Sequence, residues 1–210
     1  CELKPFKKPL SKDGGFFVFK KGAYGMNVKS TVVGYPYIGE QREWKKTLEA
    51  FWNGLLHAEQ FEQEMKTLRL SYLKRQQELG LELLTVGDFT FYDRMLDQAA
   101  MFGLVPKRYN WIDEKVDFST FYAMARGEKA VVACEMTKWF NTNYHYIVPE
   151  YEGQTLRLTA NYVLDYYLEA KEELGLETKP TIIGPYTFVE LAKGYDEKTK
   201  AAFLLQIIPL

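Results

Sequence analysis

Cysteine and histidine are nearly missing from this 210-residue chain, which holds only Cys1, Cys134, His57 and His145. Two cysteines, one of them the first residue, make no disulfide framework, so a reducing, cytoplasmic setting is expected. A structural zinc site takes four ligands and a catalytic one at least three, and these four candidates are scattered without paired spacing. No metal or other cofactor of the chain's own is expected. Net charge is lacking too, at −1, so no global field draws the chain to nucleic acid or an anionic membrane. No apolar run approaches the roughly 20 residues of a membrane span. Nor does the beginning of the chain carry the continuous apolar core of a secretory signal. A Gly-x-Gly-x-x-Gly after the first expected strand is also missing, which argues against a dinucleotide fold.

What remains is a soluble globular composition, 47% apolar and 26% charged, long enough for one domain with a substantial core. Aromatics reach 16%, with 15 Tyr and 14 Phe, and ask for large planar contacts. Residues 1–25 stand apart: six Lys against Glu2 and Asp13 give a local net of +4, with no sustained period. They read as a non-native or disordered leader, with a basic binding arm as the alternative. Met26 then reads as a natural start, and residues 26–210 as one domain.

Along that domain strand, turn and helix alternate four times. Val28 to Tyr37 reads as a buried strand centred on Thr31-Val32-Val33. Trp44, Leu48 and Phe51 then recur at i, i+4, i+7 in a helix over 41–52, which Asn53-Gly54 caps. A second helix spans 58–79 with Phe61, Met65, Leu68 and Tyr72 inward, ended by Gly80. Further strands are expected at 81–86, 130–136 and 181–183. Helices are expected at 93–102, 119–125, 159–174 and from 188, and a last amphipathic segment over 199–208. Such alternation argues a parallel sheet with helical crossovers, whose ligand sites gather at the carboxyl ends of the strands. Special residues stand at each such end: Gly34 and Arg42, Gly87 and Asp88, Lys138 and Asn141, Gly184 and Tyr186. A (β/α)8 barrel takes about 250 residues, so about 185 residues with four strands read as roughly half of one, with a complete smaller fold as the alternative.

One stretch is chemically dense. Between Lys138 and His145 lie a cation, the amides of Asn141 and Asn143, and a histidine, with aromatics at 139, 140, 144, 146 and 151. This suits a wall for a flat, partly anionic ligand. The alternative is an irregular strand and loop whose Asn and Thr satisfy their own backbone. Arg42, Lys45 and Lys46 open a helix, where cations oppose the dipole unless an anion binds. An anion site is favoured over a solvated basic face paired with Glu43 and Glu49. Asp88 reads equally as a general base or a turn cap. His145 reads as a structural residue before an acid or base, and Cys134 as core.

The string Met136-Thr-Lys-Trp-Phe-Asn-Thr-Asn-Tyr-His-Tyr146 carries a resemblance. Gly34-Tyr-Pro-Tyr-Ile-Gly39, Arg42-Glu-Trp-Lys-Lys46 and Val86-Gly-Asp-Phe89 carry it too. With them the chain resembles the N-terminal part of cobalamin-independent methionine synthase, from about Met26 to Leu210. The resemblance implies two fused barrels and a methyl transfer from 5-methyltetrahydropteroyltri-L-glutamate to homocysteine. It places zinc, on His, Cys, Glu and Cys ligands, and homocysteine in a C-terminal half. It assigns folate binding here to Arg42, Glu43, Trp44, Lys45 and Lys138, with Asp88, Asn141, Asn143 and His145 as further candidates and no catalytic residue. Where the family commonly reads Pro-Arg-x-Gly, this chain has Pro36-Tyr37-Ile38-Gly39, one cation fewer. The expectation is a truncated folate-binding part, inactive alone. A stand-alone folate or polyanion module, or a non-functional fragment with an uncapped apolar end at Leu204–Leu210, are the alternatives.

Overall fold

The computed structural model describes residues 29–210. The basic leader at 1–25, the start at Met26 and Val28 of the first expected strand lie outside the described residues.

The helices follow the apolar spacing. In α1 (Glu43–Trp52) Leu48 is buried, with Trp44 and Phe51 half-buried beside it. It begins later than the spacing implies, because Arg42 sits in the left-handed region at φ 64. In α2 (Ala58–Glu78) Phe61 and Met65 are fully buried, and Gly80 ends the run at φ 87. Side-chain caps fix several starts. Asp93 opens α3 (Arg94–Met101), and Asp117 opens α4 (Phe118–Arg126) by accepting the Thr120 N–H at 2.7 Å. The fifth helix, α5 (Tyr162–Leu174), starts at Tyr162 rather than Thr159. Asn161 caps it through the Leu164 N–H, while the Thr159 hydroxyl donates to the Ala100 carbonyl at 2.7 Å. Pro185 takes the first position of α6 (Pro185–Glu190), and Asp196 caps α7 (Glu197–Ile207).

Two strand pairs form. β1 (Leu84–Val86) and β4 (Thr178–Pro180) run parallel, Leu84 opposite Thr178 and Val86 opposite Pro180. β2 (Met136–Lys138) and β3 (His145–Ile147) form an antiparallel hairpin. The fold class is α/β, as the alternation implies. Three of the four expected strands nevertheless differ.

The first is reduced to a single bridge between Thr31 and Leu83, and Val33 is 75% exposed. Pro36 lacks a ladder donor, and the Thr85 hydroxyl takes the Val32 carbonyl. The stretch 130–136 joins a strand only at Met136, where β2 begins, because side chains claim the carbonyls ahead of it. The Tyr109 hydroxyl binds the Val132 oxygen at 2.8 Å, and Arg108 Nε binds the same oxygen at 3.2 Å. Ahead of it, Glu128 and Val131 close a tight turn. The last parallel strand lies at Thr178–Pro180, before Thr181–Ile183. Thr181 spends both its N–H (2.9 Å) and its hydroxyl (3.1 Å) on the Val86 carbonyl, which ends the ladder there. An arc of four adjacent strands is therefore not assembled among the described residues.

Apolar burial ties these pieces together. One cluster joins α1, α2 and α4 to Phe89 and Phe91, where Phe51 stacks on Phe61 at 4.5 Å. Another sets α3, β3, α6 and α7 around Phe188 and Phe203. Between α2 and α5, Arg69 makes a bidentate pair with Glu169 at 3.1 and 2.8 Å, its guanidinium over the Tyr166 ring at 4.3 Å. Among the described residues no helix is long and apolar enough to cross a membrane.

Candidate functional site at the strand ends and the hairpin

The carboxyl end of β1 continues as Gly87-Asp88-Phe89-Thr90. Gly87 has φ +86, and a Cβ there would lie 2.4 Å from the Thr181 carbonyl oxygen, so only glycine lets the two parallel strands close. Asp88 accepts the Tyr35 N–H at 2.8 Å, and burial raises its carboxyl above the ordinary range. Of its two open readings, the hydrogen bond is that of a cap on the 34–39 turn. Thr90 then presents its carbonyl to Trp44 Nε1 at 2.8 Å.

This arrangement divides the motif at α1. Trp44 points inward, with Tyr37 edge-on at 5.2 Å. Tyr37 stands where the family's arginine is expected. It also lies 5.9 Å from Phe89, and burial, with Asp97 next, pushes its hydroxyl up to about 12. Glu43 folds back to accept the Gln41 N–H at 3.0 Å, so close over Gly39 that a Cβ there would collide with it. Lys45 pairs with Glu49 at 3.4 Å, the solvated-face alternative of the sequence reading. Arg42 and Lys46 are exposed and make no ion pair among the described residues. The first turn of α1 receives no side-chain cap.

Lys138 does not follow a parallel strand. It lies in β2 and pairs across the hairpin with His145, both exposed. Asn141 and Asn143 are exposed in the connecting turn. There the Thr142 N–H and hydroxyl donate to the Trp139 carbonyl at 3.2 and 2.6 Å, and the Tyr144 N–H donates back to the Thr142 hydroxyl. Thr142 thus serves its own backbone, while the two Asn side chains and the Lys138 side chain take no described partner. The His145 imidazole makes no hydrogen bond among the described residues, so the structural role favoured from sequence is not what holds it. Of the five aromatics, Tyr146 and Tyr151 are core, Tyr151 stacking on Phe203 at 4.3 Å. Phe140 (61% exposed) and Tyr144 (79%) face outward, with Trp139 edge-on to Phe140 at 5.1 Å.

Apart from Asp88 at the end of β1, the site residues therefore fall in two groups, the start of α1 and the hairpin. No hydrogen bond, ion pair or ring contact joins them directly among the described residues. They meet through residues that sequence reasoning passed over. Asp93 Oδ1 accepts the N–H groups of Met95 (2.8 Å) and Leu96 (3.2 Å), and its Oδ2 accepts the Ile147 N–H of β3 at 3.0 Å. Burial pushes its carboxyl up to about 6. One turn on, burial holds Asp97 well above the ordinary range, Asp93 adds to this, and Asp97 Oδ1 has no hydrogen-bond partner. Asp97 and Arg94 line a cleft beside Gly87, Tyr162 and Thr181 at the strand ends. The sequence signal was an Asp ahead of an apolar-periodic helix, which reads as a cap and no more.

No cluster of three or more His, Cys, Asp or Glu able to hold a metal forms among the described residues. His57 is exposed just ahead of α2. Cys134 is buried beside Arg108 and Tyr109, and burial pushes its thiol up to about 11. His57 and Cys134 do not come together as the zinc set that the resemblance implies for a C-terminal half.

Comparison with known proteins bears on the whole described chain. The family model described as "Cobalamin-independent synthase, N-terminal domain" matches residues 29–210. A protein of Bacillus cereus (strain ATCC 10987 / NRS 248) is 54% identical over 184 residues, 87% of this chain and 24% of that protein. One from Halalkalibacterium halodurans is 54% identical over 178 residues, 85% of this chain and 24% of its own length. Each is named 5-methyltetrahydropteroyltriglutamate--homocysteine methyltransferase. The chain thus spans about a quarter of the length of these relatives.

Proposed function

The chain belongs to the cobalamin-independent methionine synthase family, matching its N-terminal domain, and on that footing we propose that it binds the acidic tail of 5-methyltetrahydropteroyltri-L-glutamate. Arg42 and Lys138 supply the charge, and the aromatic and amide face of the hairpin flanks the ligand. In this reading residues 29–210 contribute to a barrel of the (β/α)8 type, with its remaining strands supplied from outside them. Methyl transfer to homocysteine, and the zinc that activates the thiol, belong to the part of the family's enzyme these residues do not include. No step of that chemistry is assigned to a residue here.

The observation that carries the reading is Arg42. A non-glycine residue in the left-handed region costs of order 1–3 kcal/mol and persists where the surroundings over-determine it, often at ligand sites. Here it sets an exposed guanidinium at an uncapped helix start, where N–H groups and the helix dipole already favour an anion. Lys45 adds a cation released at little cost, since exposed pairs such as its own with Glu49 contribute about 0–1 kcal/mol.

Calorimetric titration of the chain with 5-methyltetrahydropteroyltriglutamate tests this. Binding is expected to weaken about ten-fold in Arg42→Ala and in Lys138→Ala, and to weaken as glutamates are removed. No heat from a cooperatively folded chain, or variants that bind as well as the parent, would overturn it. A methyl-transfer assay with zinc and homocysteine is expected to show no turnover.

A further inference from the structure

The hairpin that carries Lys138 and His145 packs its apolar side chains on α3 and is hydrogen-bonded to the start of that helix by one carboxylate. A helix cap needs only one oxygen of an aspartate, and Asp93 gives Oδ1 to that task at Met95 and Leu96. Its Oδ2 reaches 54 residues ahead to the Ile147 N–H at 3.0 Å. Ile147 is 1% exposed, so water cannot stand in for that acceptor. Three residues before Asp93, the Thr90 carbonyl holds the Trp44 indole. Thr90 and Asp93 thus each grip one of the two separated groups of site residues. The other ties of the hairpin lead elsewhere: the Tyr146 hydroxyl to the Leu191 carbonyl at 3.0 Å, and Glu135 to Lys193 at 2.8 Å.

We propose that Asp93 is the positioning residue of the ligand-binding hairpin, setting where Lys138 and His145 stand relative to the start of α1. The proposal rests on the folate-tail reading above for its ligand, but not for its tether. Residues 138 and 145 face each other two pairs from Ile147, so a shift at Ile147 passes along the ladder to both. Among the described residues nothing else in contact with α3 grips the β3 backbone through a charged group.

Two variants separate this role from helix capping. Asp93→Ser keeps an oxygen for the cap but is too short to reach Ile147. Asp93→Asn keeps the cap oxygen and turns an NH2 toward an N–H. In both, amide hydrogen exchange at Ile147 and its hairpin neighbours, followed near pH 4 where little charge-burial cost offsets the lost bond, is expected to quicken about ten-fold, the loss of one hydrogen bond. Exchange at the end of α3, Ala99 to Met101, is expected to stay as in the parent. Affinity for 5-methyltetrahydropteroyltriglutamate is expected to fall about ten-fold in both, with the preference for longer tails kept.

Unchanged hairpin exchange in both variants overturns the tether. Loosened hairpins that bind as tightly as the parent overturn the positioning role. If one variant does not fold, the other decides. If neither folds, Asp93 is a general stability residue and the proposal falls. A parent chain that binds no folate sinks the functional reading instead, and hairpin exchange still decides the tether.

Discussion

Asp93 should reverse the usual direction of acid sensitivity over part of the pH range. Its carboxyl is raised from an ordinary 3.8 to about 6, chiefly by burial and against the three N–H groups it accepts. Well below its ordinary 3.8 it is protonated in both folded and unfolded chains, and contributes no ionisation cost. Between pH 4 and 6 the folded chain holds the proton and the unfolded chain releases it, so stability falls as pH rises. Above about pH 7 the full cost of a buried charge is present, about 3 kcal/mol for a displacement of this size. Asp97 acts in the same direction. Glu150, held low by Arg108, acts oppositely and loses its contribution as pH falls toward its own lowered value.

Comparing the parent with Asp93→Asn cancels everything the two share. At pH 4 the variant should be less stable by about 1–2 kcal/mol, because its amide cannot accept the Ile147 N–H. At pH 7.5 it escapes the charge-burial cost, so the difference should move about 3 kcal/mol in its favour and change sign. Urea unfolding followed by circular dichroism at the two pH values reads this directly. A difference that does not move with pH would refute the argument, since it would mean that the carboxyl is not held up by burial.

Gly87→Ala should destabilise by about 2–4 kcal/mol, because both its positive φ and the 2.4 Å approach of the Thr181 oxygen forbid a Cβ; a urea-measured loss under about 0.5 kcal/mol would contradict the fit. Arg69→Met leaves Glu169 buried without its partner and should cost about 3–5 kcal/mol, most of it regained in the Arg69→Met/Glu169→Leu double variant. A double variant as unstable as the single would show that packing rather than charge sets the cost. Trp44→Phe should lose about 1–2 kcal/mol with the bond to the Thr90 carbonyl, while Arg42→Ala should leave stability unchanged or improved and weaken folate binding. Parallel unfolding and titration of the two variants checks that division.

The helices were legible because their signals are local. Trp44, Leu48 and Phe51 mark one face of α1 by spacing alone, and Phe61 and Met65 do the same for α2. Of the strands only Leu84–Val86 was legible, inside the expected 81–86. Thr178-Lys-Pro180 has no apolar run to announce it, yet it pairs because Leu84 to Val86 lie beside it. Ala130 to Met136 has the composition of a strand, and its carbonyls go to Arg108 and Tyr109, more than twenty residues back. The Lys138–His145 stretch was recognisable as unusual chemistry. Its hairpin geometry hangs on Thr142 satisfying its own turn, which had been weighed as the alternative to a ligand wall. The turn is seen and the wall stays a proposal; the two are compatible, because the residue that serves the backbone is not one of those left facing outward.

The four-residue motif at Arg42 shows how a binding sequence can be partly scaffold. Trp44 cannot swing outward without giving up the Thr90 carbonyl and its contact with Tyr37, and the Glu43 carboxylate is spent on the 39–41 turn. Lys45 is held by Glu49, but the two side chains are 42% and 49% exposed, so that hold is weak and open to exchange for a ligand. Only Arg42 is both reachable and without a described partner, and its backbone is strained into that place. The strain makes sense if Trp44 fixes the helix first and the turn from Gly39 must then close on it. Two residues of the motif set the geometry, and in the proposed reading the other two meet the anion. A substitution at either kind weakens binding, and only the stability measurement tells them apart.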